Sequence, residues 1–337
     1  MRAIAYDTPL PIRDANALFD YDPELPVATG RDILVEVRAV SVNPVDVKIR
    51  ASAKPDSGPR ILGWDAAGVV IVAGPDVKWF KPGDEVYYAG AVDRPGSNAQ
   101  FQVVDERIVA LKPKKLDFIL SAALPLTAIT AWEALFDRLD IRKPVEGADN
   151  SLLVIGGAGG VGSMAIQLGR QVPGLTVIAT ASRPESTRWC KELGAHYVLD
   201  HSKSIADQMV SSGLGEPAYV FSTTHTHQHF DDIAKLIAPQ GHFCLIDDPK
   251  PFDVTLLKHK SVSLHWEFMF TRSLFKTPDM AKQHKLLTEV ASLVDGGALR
   301  STLNETLCPI SAANLRLAHE KVESNHMTGK IVVAGWE

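Results

Sequence analysis

The run LLVIGGAGGVGSMAIQLGR, residues 152–170, spaces glycines as G-x-G-x-x-G at Gly157, Gly159 and Gly162, directly after a continuous apolar stretch and directly before a segment with helical periodicity. Few backbones satisfy that order. Glycines at these intervals allow a tight strand-to-helix turn, close approach of main chain to a pyrophosphate and close helix packing, while the helix N-terminus supplies unpaired N–H groups and a favourable dipole. Gly157, Ala158, Gly159, Gly160, Val161 and Gly162 are therefore the first candidate ligand contacts. The ligand class they imply is a dinucleotide.

The flanking sequence fits the same fold. SLLVIG, LTVIATA, HYVL, AYVFST and HFCLID read as strands, with helices expected over 160–172, 184–194, 203–212 and 227–238. Strand and helix in strict alternation, with the strands apolar throughout, is the pattern of a doubly wound parallel sheet covered on both faces. Ahead of it, MRAIAY, ILVEVRAVSV, AGVVIVAG, EVYYAG and AQFQVV are strand-like runs punctuated by Gly and Pro, which reads as a mainly antiparallel β unit. LSAALPLTAITAWEALFDRL has helical spacing, with Pro125 marking a helix start. The tail mixes strands with helices near 279–294 and 311–323 and is expected to return to the first unit. A chain of 337 residues suits two domains, expected at 1–124 with 268–337, and at 125–267.

An NAD site usually carries Asp or Glu at the end of the second strand, about 20 residues past the glycines, to grip the ribose hydroxyls. Here that strand ends ATASRPES, so Ser182 and Arg183 stand where the acid belongs. A hydroxyl beside a guanidinium suits a 2′-phosphate. NADPH is the expected cofactor.

Other signals mainly exclude. With 35 basic against 40 acidic residues the net charge is -5, so there is no basic surplus for nucleic acid, and KPKK at 112–115 is too short and isolated to supply one. No apolar run approaches the ~20 residues that span a bilayer, and MRAIAYDTPLP lacks a signal-type core, so no membrane association and a cytoplasmic location are expected. Cys190, Cys244 and Cys308 are too far apart for a C-x-x-C knuckle or a disulfide framework. His225, His227 and His229 in TTHTHQHF look like a metal cluster but read as loop histidines, because no cysteine or helical i, i+4 pair accompanies them. LKHKSVSLHW reads as a solvated connection.

VRAVSVNPVD, ILGWDAAGVV, KPGDEV, LPLTAITAWEAL, GGAGGVG, ELGAHYVLDH and GKIVV together resemble the medium-chain dehydrogenase/reductase superfamily over essentially the whole chain. Within it the chain is similar to the quinone-oxidoreductase (zeta-crystallin-like) branch, and most closely to the zinc-type alcohol dehydrogenase-like subgroup. The resemblance implies a β-rich GroES-like catalytic domain interrupted by a Rossmann domain, and commonly a homodimer. At the positions where zinc alcohol dehydrogenases hold their catalytic metal, this chain has Asn43, Trp64 and Leu126, none of them a usual zinc ligand. Trp64 is expected to fill the former metal space as an apolar wall.

The activity implied is zinc-independent, NADPH-dependent reduction of quinones or α,β-unsaturated carbonyls, since a conjugated acceptor delocalises the charge that hydride addition creates. A zinc-type alcohol dehydrogenase and a non-catalytic NADPH-binding protein remain alternatives. Asn43 is the first candidate hydrogen-bond donor and Lys48 the second, with a solvated lysine the competing reading. By resemblance Thr130 contacts the nicotinamide, His201 lies near the adenosine phosphate and Lys330 near the cofactor phosphates. Thr223, Ile246 and Phe268 follow from the rule that ligands sit outside the carboxyl ends of a parallel sheet.

Overall fold

The computed structural model describes residues 1–336. It divides into two compact units, Met1–Ile129 together with the chain from Phe270 onward, and Thr130–Met269.

The Thr130–Met269 unit is built on six parallel strands: Asp149–Ile155, Thr176–Thr180, Tyr197–Leu199, Pro217–Ser222, His242–Leu245 and Ser263–Trp266. Numbered first to sixth along the chain, they lie in the order 3-2-1-4-5-6. The order therefore reverses beside the first strand, which is where such a sheet opens a crevice at its carboxyl ends. Crossover helices Gly160–Gly169, Pro184–Glu192, Ile205–Ser211 and Thr226–Leu236 cover it. Period-two alternation explains how both faces are buried. Val177 and Ala179 pack with Ile166 and Cys190 on one face, whereas Ile178 packs with Leu153, Val220 and Phe230 on the other.

Two local expectations change here. LKHKSVSLHW is not a plain connection: Val254–Lys260 forms a 3-10 helix, and Ser263–Trp266 is the sixth strand, paired in parallel with His242–Leu245. Ser263, Leu264 and His265 are only half-buried and Trp266 is exposed, as befits an edge strand, which is why the run reads as solvated. Nor are all three histidines in a loop. His225 is the N-cap of Thr226–Leu236, and His227 and His229 belong to that helix.

In the other unit, the ten-residue strand Asp32–Ser41 is the hub of a seven-stranded sheet. It pairs antiparallel with Asp65–Ala73, Phe101–Asp105 and the returning strand Lys330–Ala334. Ser41 faces Asp65 on one side and Val332 on the other. The start of two strands and the end of a third thus converge on one spot. Two glycines make the approach feasible. Gly63 has φ +100°, and a Cβ there would lie 2.5 Å from the Asn98 side chain; at Gly68 a Cβ would lie 2.2 Å from the Glu36 carbonyl. After Ser41 the helix Pro44–Ser52 begins, with Asn43 as its N-cap. The helix Pro125–Trp132 does start on its proline, and continues as a π-helical turn, Glu133–Arg138.

Candidate functional site

At the carboxyl end of the first strand the chain turns through Gly156, at φ +78°, into the helix Gly160–Gly169, whose N-cap Gly159 has no side-chain cap. The three fingerprint glycines differ in what enforces them. A Cβ on Gly162 would sit 2.2 Å from the Gly156 carbonyl, and one on Gly157 would sit 2.8 Å from the Ala179 methyl. At Gly159 the nearest atom would be 3.6 Å away, an ordinary contact, so packing does not require glycine there. Packing demands the outer two. An uncapped helix N-terminus behind such a glycine fits a pyrophosphate.

Other sequence candidates gather at this same edge of the sheet. Thr223 follows the fourth strand and donates its hydroxyl to the Ile155 carbonyl at 2.8 Å. Ile246 follows the fifth and is half-buried. Ser182 is exposed just past the second strand, and Arg183 is the N-cap of Pro184–Glu192, with its guanidinium 3.1 Å from Glu185. His201 follows the third strand with Nδ1 3.3 Å from the Thr180 hydroxyl, which also accepts the Gly156 N–H at 3.0 Å. Phe268 is exposed two residues beyond the sixth strand, and Thr130 is buried in the helix Pro125–Trp132.

Asn43 and Lys330 lie in the other unit and meet each other. The Asn43 amide donates to Asp65 Oδ2 at 2.8 Å and to the Ser41 carbonyl at 3.2 Å, and its oxygen accepts from Lys330 Nζ. Lys330 Nζ also reaches the Val42 carbonyl at 3.0 Å and Asp65 Oδ2 at 3.1 Å. The other Asp65 oxygen accepts the Leu126 N–H at 2.7 Å, at the N-terminus of the helix Pro125–Trp132. All three side chains are buried, and burial drives the Asp65 carboxyl up while Lys330, Asn43 and Leu126 pull it down.

Two expectations are corrected by this geometry. Asn43 has both amide hydrogens committed inside the protein, so it is not a donor aimed at a substrate. Lys330 directs its ammonium inward to a carboxylate and two carbonyl-type oxygens rather than outward to a phosphate. Lys48, in contrast, is exposed on the helix Pro44–Ser52. Trp64 is sealed in the interior, its indole N–H on the Ala91 carbonyl at 3.2 Å and its ring edge-on to Phe270 at 5.9 Å. It is core packing.

The residues do not fit a catalytic zinc. Asn43, Trp64 and Leu126 offer no thiolate, imidazole or carboxylate, and among the described residues no group of three or more His, Cys, Asp or Glu is placed to hold a metal ion.

Two features escaped the sequence. One is the Asp65–Lys330 pair, which no local pattern announces. The other is a buried carboxyl pair, Glu133 on the π turn and Glu267 after the sixth strand, with Arg138 Nε 2.8 Å from Glu267. Burial and the neighbouring Glu133 push the Glu267 carboxyl up, against the pull of Arg138. A π turn is rare and often marks a functional segment, but its register is invisible in WEALFDR.

Fold and site define a two-unit nicotinamide oxidoreductase, and comparison with known proteins agrees. Residues 29–114 match the alcohol dehydrogenase GroES-like domain and residues 160–283 match the zinc-binding dehydrogenase family. The chain belongs to the medium-chain dehydrogenase/reductase superfamily. A zinc-type alcohol dehydrogenase-like protein of Staphylococcus aureus is 40% identical over 335 residues, 99% of each chain. A chloroplastic NADPH-dependent alkenal/one oxidoreductase of Arabidopsis thaliana is 40% identical over 180 residues, 51% of this chain and 45% of that protein. Among solved structures, a provisionally assigned zinc-dependent alcohol dehydrogenase from Rhizobium etli superposes with a TM-score of 0.99 at 59% identity, covering 100% of this chain and 98% of the other. The Coxiella burnetii quinone oxidoreductase does so at 0.81 and 25% identity, covering 100% and 99%. Among the described residues no helix is long and apolar enough to cross a membrane.

Proposed function

We propose that the protein is a zinc-independent, NADPH-dependent reductase of quinones or α,β-unsaturated carbonyls. The observation that carries this reading is the closed network of Asn43, Asp65 and Lys330, which occupies the neighbourhood where metal-dependent relatives coordinate zinc and leaves no ligand set there. Without a strong electrophile an alkoxide is hard to stabilise, whereas an enolate or hydroquinone anion spreads its charge and needs only ordinary donors. NADPH, when bound, supplies hydride. Gly159 and the uncapped helix behind it hold the pyrophosphate, Ser182 and Arg183 receive the 2′-phosphate, and Thr130 contacts the nicotinamide. Lys48, exposed on its helix, is the remaining candidate to place positive charge beside the developing enolate. The alkenal/one oxidoreductase and quinone oxidoreductase relatives support both cofactor and acceptor class. A homodimer completes the proposal, on the family resemblance.

The test is NADPH oxidation with quinones, enones, aldehydes and alcohols, with and without chelator, alongside metal analysis of the purified protein. Activity on conjugated acceptors that survives chelation is expected. Chelator-sensitive alcohol oxidation with one equivalent of bound zinc would replace this reading with the metal-dependent one, and binding without turnover would replace it with a nucleotide-binding role.

A further inference from the structure

The last histidine of HTHQH, His229, stands beside the histidine that follows the third strand, His201. Arg183 caps one helix, His201 follows the third strand, His225 follows the fourth, and His229 lies one turn further along the helix Thr226–Leu236. The His201 and His229 rings are 6.0 Å apart between centroids, tilted by 47°. Thr180 ties this group to the glycine turn, since its hydroxyl meets both the Gly156 N–H and His201 Nδ1. His225 is exposed, and His201, His229 and Arg183 are partly so.

We propose that His201 and His229 act with Arg183 to receive the 2′-phosphate of the cofactor, and that the imidazole pair takes up a proton as the phosphate binds. This rests on the NADPH reading above. The charges around the imidazoles favour it. His201 faces His225 and Arg183 against a single acid, Asp200; His229 faces His201, His225 and His227 against a single acid, Asp232. Both acids are already engaged. Asp200 accepts the Ser202 hydroxyl at 2.6 Å and its N–H at 3.0 Å, and Asp232 accepts the Ile205 N–H at 2.6 Å. Burial holds both His201 and His229 below the usual imidazole range, and the Arg183 guanidinium adds to it at His201, so the free pair is short of protons at neutral pH.

A phosphate dianion placed there reverses the local potential and lifts the imidazoles back up. Affinity for a ligand that raises a group's pKa increases as pH falls between the free and bound values. NADH lacks the phosphate and should not feel this. Preference for NADPH over NADH therefore rises as the solution becomes more acidic.

Isothermal titration of the full-length protein with NADPH and with NADH, at about pH 6.5 and about pH 8.5, reads the effect while keeping the phosphate above its own second ionisation near ~6. The NADH/NADPH ratio of Kd values should be about five-fold or more larger at the lower pH, and the heat of NADPH binding should vary with buffer ionisation enthalpy as proton uptake requires. His201→Gln/His229→Gln, checked for folding by circular dichroism, should lose most of that slope. A wild-type ratio that is the same at both pH values, with no buffer-dependent heat, overturns the proposal, as does a folded double variant that keeps the slope. If the wild-type protein binds NADH as tightly as NADPH at both pH values, the underlying 2′-phosphate reading has failed instead.

Discussion

The glycine turn at 156–162 and the Asn43–Asp65–Lys330 cluster are both made at strand ends, yet they treat polar groups in opposite ways. The turn leaves a helix N-terminus without a side-chain cap behind Gly159. The cluster turns its amide, carboxylate and ammonium onto one another and onto nearby backbone. A helix N-terminus without a side-chain cap keeps donors available to a ligand; a saturated network is a structural joint. Residues that look functional by type, such as a buried Asp, Lys and Asn, are thus withdrawn from chemistry by geometry, whereas glycines with no functional group at all shape the site.

The largest expected effect lies at the joint. Lys330→Met leaves Asp65 buried without its cation and should cost about 3–5 kcal/mol in urea unfolding. Adding Asp65→Asn, which removes the uncompensated charge and keeps an acceptor for the Leu126 N–H, should restore part of that. A double variant no more stable than Lys330→Met would break the contrast, since Lys330 would then act through something other than Asp65.

Next is a pH dependence in the same neighbourhood. Asp46 is fully buried and accepts the Asn43 N–H at 2.8 Å, and burial pushes its carboxyl up to about 7. The folded state therefore keeps a proton that the unfolded state has released above about pH 4, so this group's contribution is best at low pH and is lost as pH rises toward about 7. The loss is on the order of 4 kcal/mol. Asp46→Asn, which retains an acceptor for the Asn43 N–H, should flatten the fall in unfolding midpoint across that window.

The turn itself separates packing from binding. Gly162→Ala would set a methyl 2.2 Å from the Gly156 carbonyl and should cost about 1–3 kcal/mol of stability. Gly159→Ala, with 3.6 Å of clearance and φ -68°, should leave the unfolding midpoint nearly unchanged while weakening NADPH binding about tenfold. Equal losses of stability in the two would erase the distinction drawn between them. Smallest is Arg183→Glu, which should move cofactor preference toward NADH by roughly tenfold in the ratio of kcat/KM values.

Much of the fold was legible because it rests on local rules. Glycine spacing, apolar runs and Pro125 specify the turn, the parallel strands and a helix start without reference to distant chain. The edge strand Ser263–Trp266 was misread for the same reason: an edge position halves the burial that makes a strand recognisable. Asn43 and Lys330 were each singled out, but from the family resemblance, and neither their pairing nor Asp65's part in it follows from sequence. Residues 287 apart meet only after the last strand returns to the first sheet.

By itself the sequence determined the class of ligand, because a pyrophosphate-binding turn is a property of a few consecutive backbones whose conformations glycine alone permits. Only the tertiary structure decided which polar side chains stay available, because burial and hydrogen-bond saturation depend on what the rest of the chain brings alongside. Asn43 and Lys330 lost their expected roles there, and His229 gained His201 as a neighbour.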